Sequence, residues 1–169
     1  HQRRAESEQQ RHLRRLLPQR EAQHATAEVL GRIGEHRVGQ RVLAQQRAAA
    51  EERYQLLSAE GRNAEAAAAG LEVVVLTGQL HGADSLELAS PLTNLATAQL
   101  RSGALRDAEA NYQAAIALLE KRAGFLSARL IEPLTGLGEA YVRSEQYPLA
   151  TQAYARALRV NHVNEGFYN

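Results

Sequence analysis

The feature that most constrains this 169-residue chain is a sequence repeat with a period of 42 residues. Pro91-Leu92-Thr93 recurs as Pro133-Leu134-Thr135, and Tyr112 recurs as Tyr154. The same shift aligns further identical residues: Leu95 with Leu137, Ala98 with Ala140, Arg101-Ser102 with Arg143-Ser144, Ala108 with Ala150, Ala115 with Ala157, and Gly82 with Gly124 and Gly166. Because self-similarity with a period of about 20–50 residues indicates stacked supersecondary units, we expect a repeat architecture.

Each copy carries the hydrophobic pattern of two helices. In the first copy the apolar residues follow helical spacing until Ser102-Gly103, after which a second apolar stripe begins. Pro91 and Pro133 are expected in the first turn of their helices, because proline is tolerated there and disrupts a helix further in. The predicted helix starts are therefore about Ser90 and Glu132. Each copy is predicted to be a helical hairpin.

The composition also favours helix. Ala, Leu, Arg, Gln and Glu are good helix formers, whereas aromatic residues reach only 5% and neither Trp nor Met occurs. Small residues at Ala96 and Gly138 would let the two helices of a hairpin approach closely, with Tyr112 and Tyr154 filling the space beside them. The predicted fold class is all-α.

A degenerate copy is predicted upstream. Gly61 takes the column of Gly103, so 46–58 and 63–77 are expected to form another hairpin. Residues 1–45 are rich in Arg and Gln, with an interrupted amphipathic pattern that predicts a helical extension. The predicted divisions are 1–45 for the extension, 46–82 for the degenerate hairpin, 83–124 and 125–165 for two clear repeats, and 166–169 for the start of an incomplete further repeat.

The clearer copy, 133–158, reads P-L-x-x-L-G-x-A-Y and then, after five residues, Y-x-x-A-x-x-x-Y-x-x-A-L. This pattern resembles the tetratricopeptide repeat, in particular its 42-residue variant in kinesin-light-chain-like proteins. The first copy, 91–116, departs from it in having Ala96 for glycine and Gln99 for tyrosine. The resemblance covers 83–169 and implies a right-handed superhelical solenoid of antiparallel helix hairpins.

The resemblance also implies a peptide-binding groove, lined mainly by the first helix of each repeat. The positions that it implies are Thr93, Asn94, Thr97 and Arg101 in one repeat, and Thr135, Glu139 and Arg143 in the next. Asn94 stands where the family often holds the backbone of a bound peptide, and Gly136 stands there in the second copy. Two arginines in one column could grip an acidic or carboxyl-terminal group; the alternative is that they are only solvated.

The residue types that usually carry catalysis or bind metals do not form a recognisable pattern. The chain has no cysteine. His12, His24 and His36 are 12 residues apart, which in a helix is about 18 Å, too far for one metal. A copper site at His1 would lack a second histidine nearby. Neither a Gly-rich phosphate loop nor a G-x-S-x-G motif occurs. We expect a non-enzyme without cofactor or metal.

The sequence therefore predicts a non-catalytic scaffold that binds a peptide or a partner helix in the groove. One alternative is homodimerisation, through the uncapped end of the repeat array or through the N-terminal helix. Another is a nucleic-acid or membrane-surface adaptor that uses the six arginines of residues 1–20, although the net charge of the chain is only +1. No run of 18 apolar residues predicts a membrane span.

Two expectations concern the origin of the chain. Its Arg- and Ala-rich composition is typical of bacteria, and a first residue other than Met favours an exported, processed protein, hence the periplasm over the cytoplasm. The last four residues, Gly166-Phe167-Tyr168-Asn169, would open a repeat that is not completed. This favours a piece of a longer solenoid, or an end that is covered by a second copy of the chain.

Overall fold

A computed structural model describes residues 32 and 34–166, and the described residues form helices and turns without a β-strand. The chain divides into two compact units, 1–42 and 43–169. In the first unit the described residues are helical and mostly exposed. The arginine-rich segment 1–20, on which the adaptor alternative depends, lies outside the described residues. The all-α prediction is confirmed for the part of the chain that the structure describes.

The helix bounds repeat with the same period as the sequence. The helices are α1 (34–59), α2 (Asn63–His81), α3 (Ala89–Ser102), α4 (Leu105–Ala123), α5 (Ile131–Arg143) and α6 (Tyr147–Asn164), with 3-10 turns at Leu86–Leu88 and Ala128–Leu130. The starts of α2, α4 and α6 are 42 residues apart, and so are the starts of α3 and α5. The helices alternate in chain order between the two halves of each predicted hairpin. We therefore call α1, α3 and α5 the first helices and α2, α4 and α6 the second helices.

The helix ends follow from the local sequence. Pro91 and Pro133 are the third residues of α3 and α5, in the first turn, as the sequence predicted. The turn between α3 and α4 uses Gly103 with φ +87°, in the left-handed region that glycine adopts freely. Glu145 takes the corresponding place between α5 and α6, with φ +60°. A non-glycine residue therefore occupies a left-handed turn position there.

Packing in the second unit follows chain order. From α2 to α6 each helix contacts the next, and α3 also contacts α5. The main core cluster extends over α3 to α6, with Tyr112 and Leu119 almost completely buried. A smaller cluster joins α1 and α2 to α3 through Tyr54, Leu57 and Ala98. The tyrosines thus supply much of the bulk between helices that are otherwise rich in alanine.

Two glycines of α5 make room for tyrosine rings. A Cβ atom on Gly138 would lie 2.7 Å from Cε1 of Tyr154, which confirms the predicted close approach at this small residue. A Cβ atom on Gly136 would lie 2.5 Å from Cε1 and from the hydroxyl of Tyr112. Both distances are shorter than van der Waals contact allows, so α5 approaches α4 and α6 closely because these two positions lack side chains.

Candidate functional site

The seven groove positions named from the sequence lie on α3 and α5, which contact each other. The exposed ones are Arg101, Thr135, Glu139 and Arg143, whereas Asn94 and Thr97 are half-buried. Thr93 differs, because it is 3% exposed and its hydroxyl donates to the Ala89 carbonyl at 2.9 Å. Its hydroxyl is therefore bonded within its own helix, and the side chain is not accessible to a ligand. We call the other six positions the α3–α5 face.

Thr97 is tied to the second helix of its own pair. Its hydroxyl donates to the Thr93 carbonyl at 2.9 Å and lies 2.9 Å from the hydroxyl of Tyr112. Because a hydroxyl carries one hydrogen, Tyr112 is the donor in the second bond. Burial raises the pKa of Tyr112, although the bond to Thr97 acts in the opposite direction. The hydrogen bond from the neutral Tyr112 therefore holds the Thr97 side chain in place on the α3–α5 face.

Asn94 combines a fixed backbone with a free side chain. The hydroxyl of Tyr54 in α1 donates to the Asn94 carbonyl at 3.1 Å, and burial is the main reason that the pKa of Tyr54 is raised. The Asn94 side-chain amide makes no hydrogen bond to any residue that the structure describes. A half-buried amide without a partner can bond to the backbone of a ligand, since it carries both donors and an acceptor.

The two arginines that share a repeat column have different surroundings. The Arg143 guanidinium donates to the Leu100 carbonyl, in the last turn of α3. This carbonyl also accepts from the Gly103 N–H at 3.2 Å, so the Arg143 cation adds a second hydrogen bond at the C-terminal end of the α3 dipole. Arg101 is exposed and makes no hydrogen bond or ion pair within the described part of the chain. Arg101 is therefore the arginine that remains available to a ligand.

Charges of both signs act on the Tyr112 hydroxyl. After burial, which is the main cause of the raised pKa of Tyr112, the charges of Glu139 and Glu132 also raise it and the charge of Arg101 lowers it. Glu132 was not among the groove positions named from the sequence. Its spacing of seven from Glu139 on one helix places both on the same side of α5, and this signal could have identified it. The α3–α5 face therefore carries mixed charge.

A second depression lies on another side of the molecule, between α4, α5 and α6. A cavity of about 340 Å³ there has an apolar floor that includes Ile116 and Leu137. It shares Glu120, Gln152 and Arg156 with an adjoining cavity of about 540 Å³. An ion pair between Glu120 and Arg156 spans the boundary. The sequence does not predict this depression, because the depression forms only where α4 and α6 lie side by side over α5.

Among residues 34–166, no group of three or more His, Cys, Asp or Glu side chains is placed to hold a metal ion. The histidines His12 and His24 are outside the part of the chain that the structure describes, and His36 is exposed on α1. Within the same range, no helix has both the length and the apolar character needed to span a membrane.

Comparison with models of protein families and with curated proteins found no match to the chain.

Proposed function

We propose that the chain is a non-catalytic protein-interaction scaffold, built as a tetratricopeptide-like solenoid, that binds an extended peptide or a partner helix on the α3–α5 face. Two observations support the architecture: the helix bounds recur every 42 residues, and each helix of the second unit packs on the next one. Stacked helix pairs of this kind leave the first helices side by side along one surface. In this chain α3 and α5 contact each other, which supports the proposed arrangement.

The observation that carries the proposal is the contrast between Arg101 and Arg143. Arg143 is engaged by a backbone carbonyl, whereas Arg101 is exposed and unpaired among the described residues. Arg101 and the unpaired amide of Asn94 are seven residues apart on α3, about 10 Å along the helix, so they present donors for a carboxylate and for a peptide backbone at two points of one helix side. The ligand favoured by this chemistry is a segment with an acidic side chain or a terminal carboxylate.

The test uses the full chain as bait in an extract of its source cells. Proteins that co-purify with the wild type are identified, and the purified partner is then titrated against Arg101→Glu and Arg106→Glu. Arg106 is an exposed arginine of α4, so the second variant has the same change of charge away from the α3–α5 face. We expect the Arg101 variant to lose binding and the Arg106 variant to keep it. Equal affinity of both variants would refute the assignment of the face.

A further inference from the structure

The three second helices differ in how far a neighbouring helix covers one face, the one that carries Tyr112 in α4 and Tyr154 in α6. In α4 this face is covered by α5, so that Tyr112 is 2% exposed and Ile116 is 7% exposed. The corresponding position of α2, Gly70, is likewise buried, against α3. On α6 the residues 42 positions later are open, because Tyr154 is 40% exposed and Leu158 is 55% exposed. The surface that is core in α4 is therefore solvent-exposed in α6.

These exposed residues form a stripe along one side of α6. Tyr147, Tyr154 and Leu158 are spaced by seven and four residues, which places them on one side of α6. Tyr147 is 60% exposed, and its counterpart Leu105 on α4 is half-buried and packed against the main core cluster. We call this stripe the α6 face. A row of large apolar side chains at helical spacing is the surface that an incoming helix would bury.

The contact between α4 and α5 specifies what such a helix must look like. Tyr112 fits against α5 only because Gly136 has no side chain. On α3 the residue in the column of Gly136 is Asn94, and on α2 the column of Tyr112 holds Gly70, which has no ring to accommodate. Since α6 presents Tyr154 at the place of Tyr112, the incoming helix needs a glycine there. A helix with an asparagine at that point would overlap the ring.

We propose that the α6 face is a docking site for an amphipathic protein helix with the chemistry of α5, in which a glycine between two leucines faces Tyr154. The pattern is given by Leu134, Gly136 and Leu137, which lie against the residues that the α6 face repeats. The binding energy comes from burial of Tyr147 and Leu158, and selectivity comes from the glycine. This site is separate from the α3–α5 face and does not depend on the function proposed for it.

The chain itself supplies the probe and its control. A synthetic peptide of residues 126–145, which contains α5, is titrated against the full-length protein by fluorescence anisotropy. The controls are the same peptide with Gly136→Asn and a peptide of residues 84–103, which contains α3. We expect saturable binding of the first peptide and affinities at least about tenfold lower for both controls, because the overlap with Tyr154 outweighs the shared apolar contacts.

Variants of the protein locate the site. Leu158→Glu should weaken binding of the 126–145 peptide at least about tenfold, since it places a charge where an apolar side chain would be buried. Val142→Glu, the same substitution at another exposed apolar residue, on α5, should leave the affinity unchanged. Three results would overturn the proposal. These are equal binding of the α3 and α5 peptides, no effect of Leu158→Glu on peptide binding, and self-association of the protein that Leu158→Glu abolishes although no peptide binds.

Discussion

The ring of Tyr112 in α4 lies against the backbone of Gly136 in α5, so closely that a Cβ atom on Gly136 would be 2.5 Å from the tyrosine hydroxyl. Tyr112 is 2% exposed and its hydroxyl bonds to Thr97 at 2.9 Å, so the ring has no free direction in which to move. Gly136 is thus required by packing, which explains why the second repeat has no asparagine in the column of Asn94.

Replacing Gly136 by alanine should destabilise the protein more than the same change at Gly138. Overpacking against the confined Tyr112 ring costs about 1–3 kcal/mol, partly offset by a gain in helix propensity of about 1 kcal/mol. At Gly138 the opposing ring belongs to Tyr154, which is 40% exposed and is therefore confined by fewer neighbours than Tyr112. Denaturant unfolding of both variants measures the difference. A larger loss for Gly138→Ala would contradict this account of the tyrosine contacts.

Glu145→Gly should stabilise the protein. Glu145 has φ +60°, in the left-handed region that costs an L-residue roughly 1 kcal/mol, and the corresponding turn residue of the preceding pair is Gly103. Glycine removes that strain, so we expect a higher free energy of unfolding by about that amount. Glu145→Ala is the matched control, because it removes the carboxylate and keeps the strained backbone. If alanine stabilises as much as glycine, charge rather than backbone conformation is responsible.

Stability should fall at alkaline pH because of the buried tyrosines. Burial raises the pKa of Tyr112 above its reference value of 10.0, so the folded state holds the proton more tightly than the unfolded state. The contribution is fully present below about pH 10 and is lost as the pH rises through the folded pKa. Tyr112→Phe also loses the bond to Thr97, worth about 1 kcal/mol. The difference in unfolding free energy between wild type and Tyr112→Phe should therefore shrink above about pH 10. A constant difference would show that the pKa of Tyr112 is the same in the folded and the unfolded state.

Arg143→Ala should cost stability and Arg101→Ala should not. Removing the Arg143 guanidinium leaves the Leu100 carbonyl without its partner from α5, an expected loss of about 0.5–1.5 kcal/mol. Arg101 makes no such bond among the described residues, so its truncation should leave the thermal midpoint almost unchanged. The comparison needs only melting curves of the two single variants. Equal losses would mean that the two arginines have equivalent surroundings.

The sequence predicted the features that depend on local patterns. The 42-residue period gave the helical hairpins, and the position of Pro91 near the start of α3 follows from its missing N–H. Features that depend on contacts between helices could not be predicted in this way. Thr93 fits the groove column by spacing and yet is buried, whereas Arg143 occupies the same column as Arg101 and bonds to a carbonyl of another helix. Spacing along one helix does not determine what the neighbouring helix covers.

The most direct test of the α3–α5 face is site-specific photo-crosslinking to the captured partner. A benzophenone amino acid at Thr135, an exposed position of that face, should form a covalent adduct with the partner. The same amino acid at Arg106 on α4 should form none. An adduct at Thr135 that disappears in the Arg101→Glu background is the predicted result. An adduct formed only from position 106, or only from position 158 on the α6 face, would contradict the proposed function.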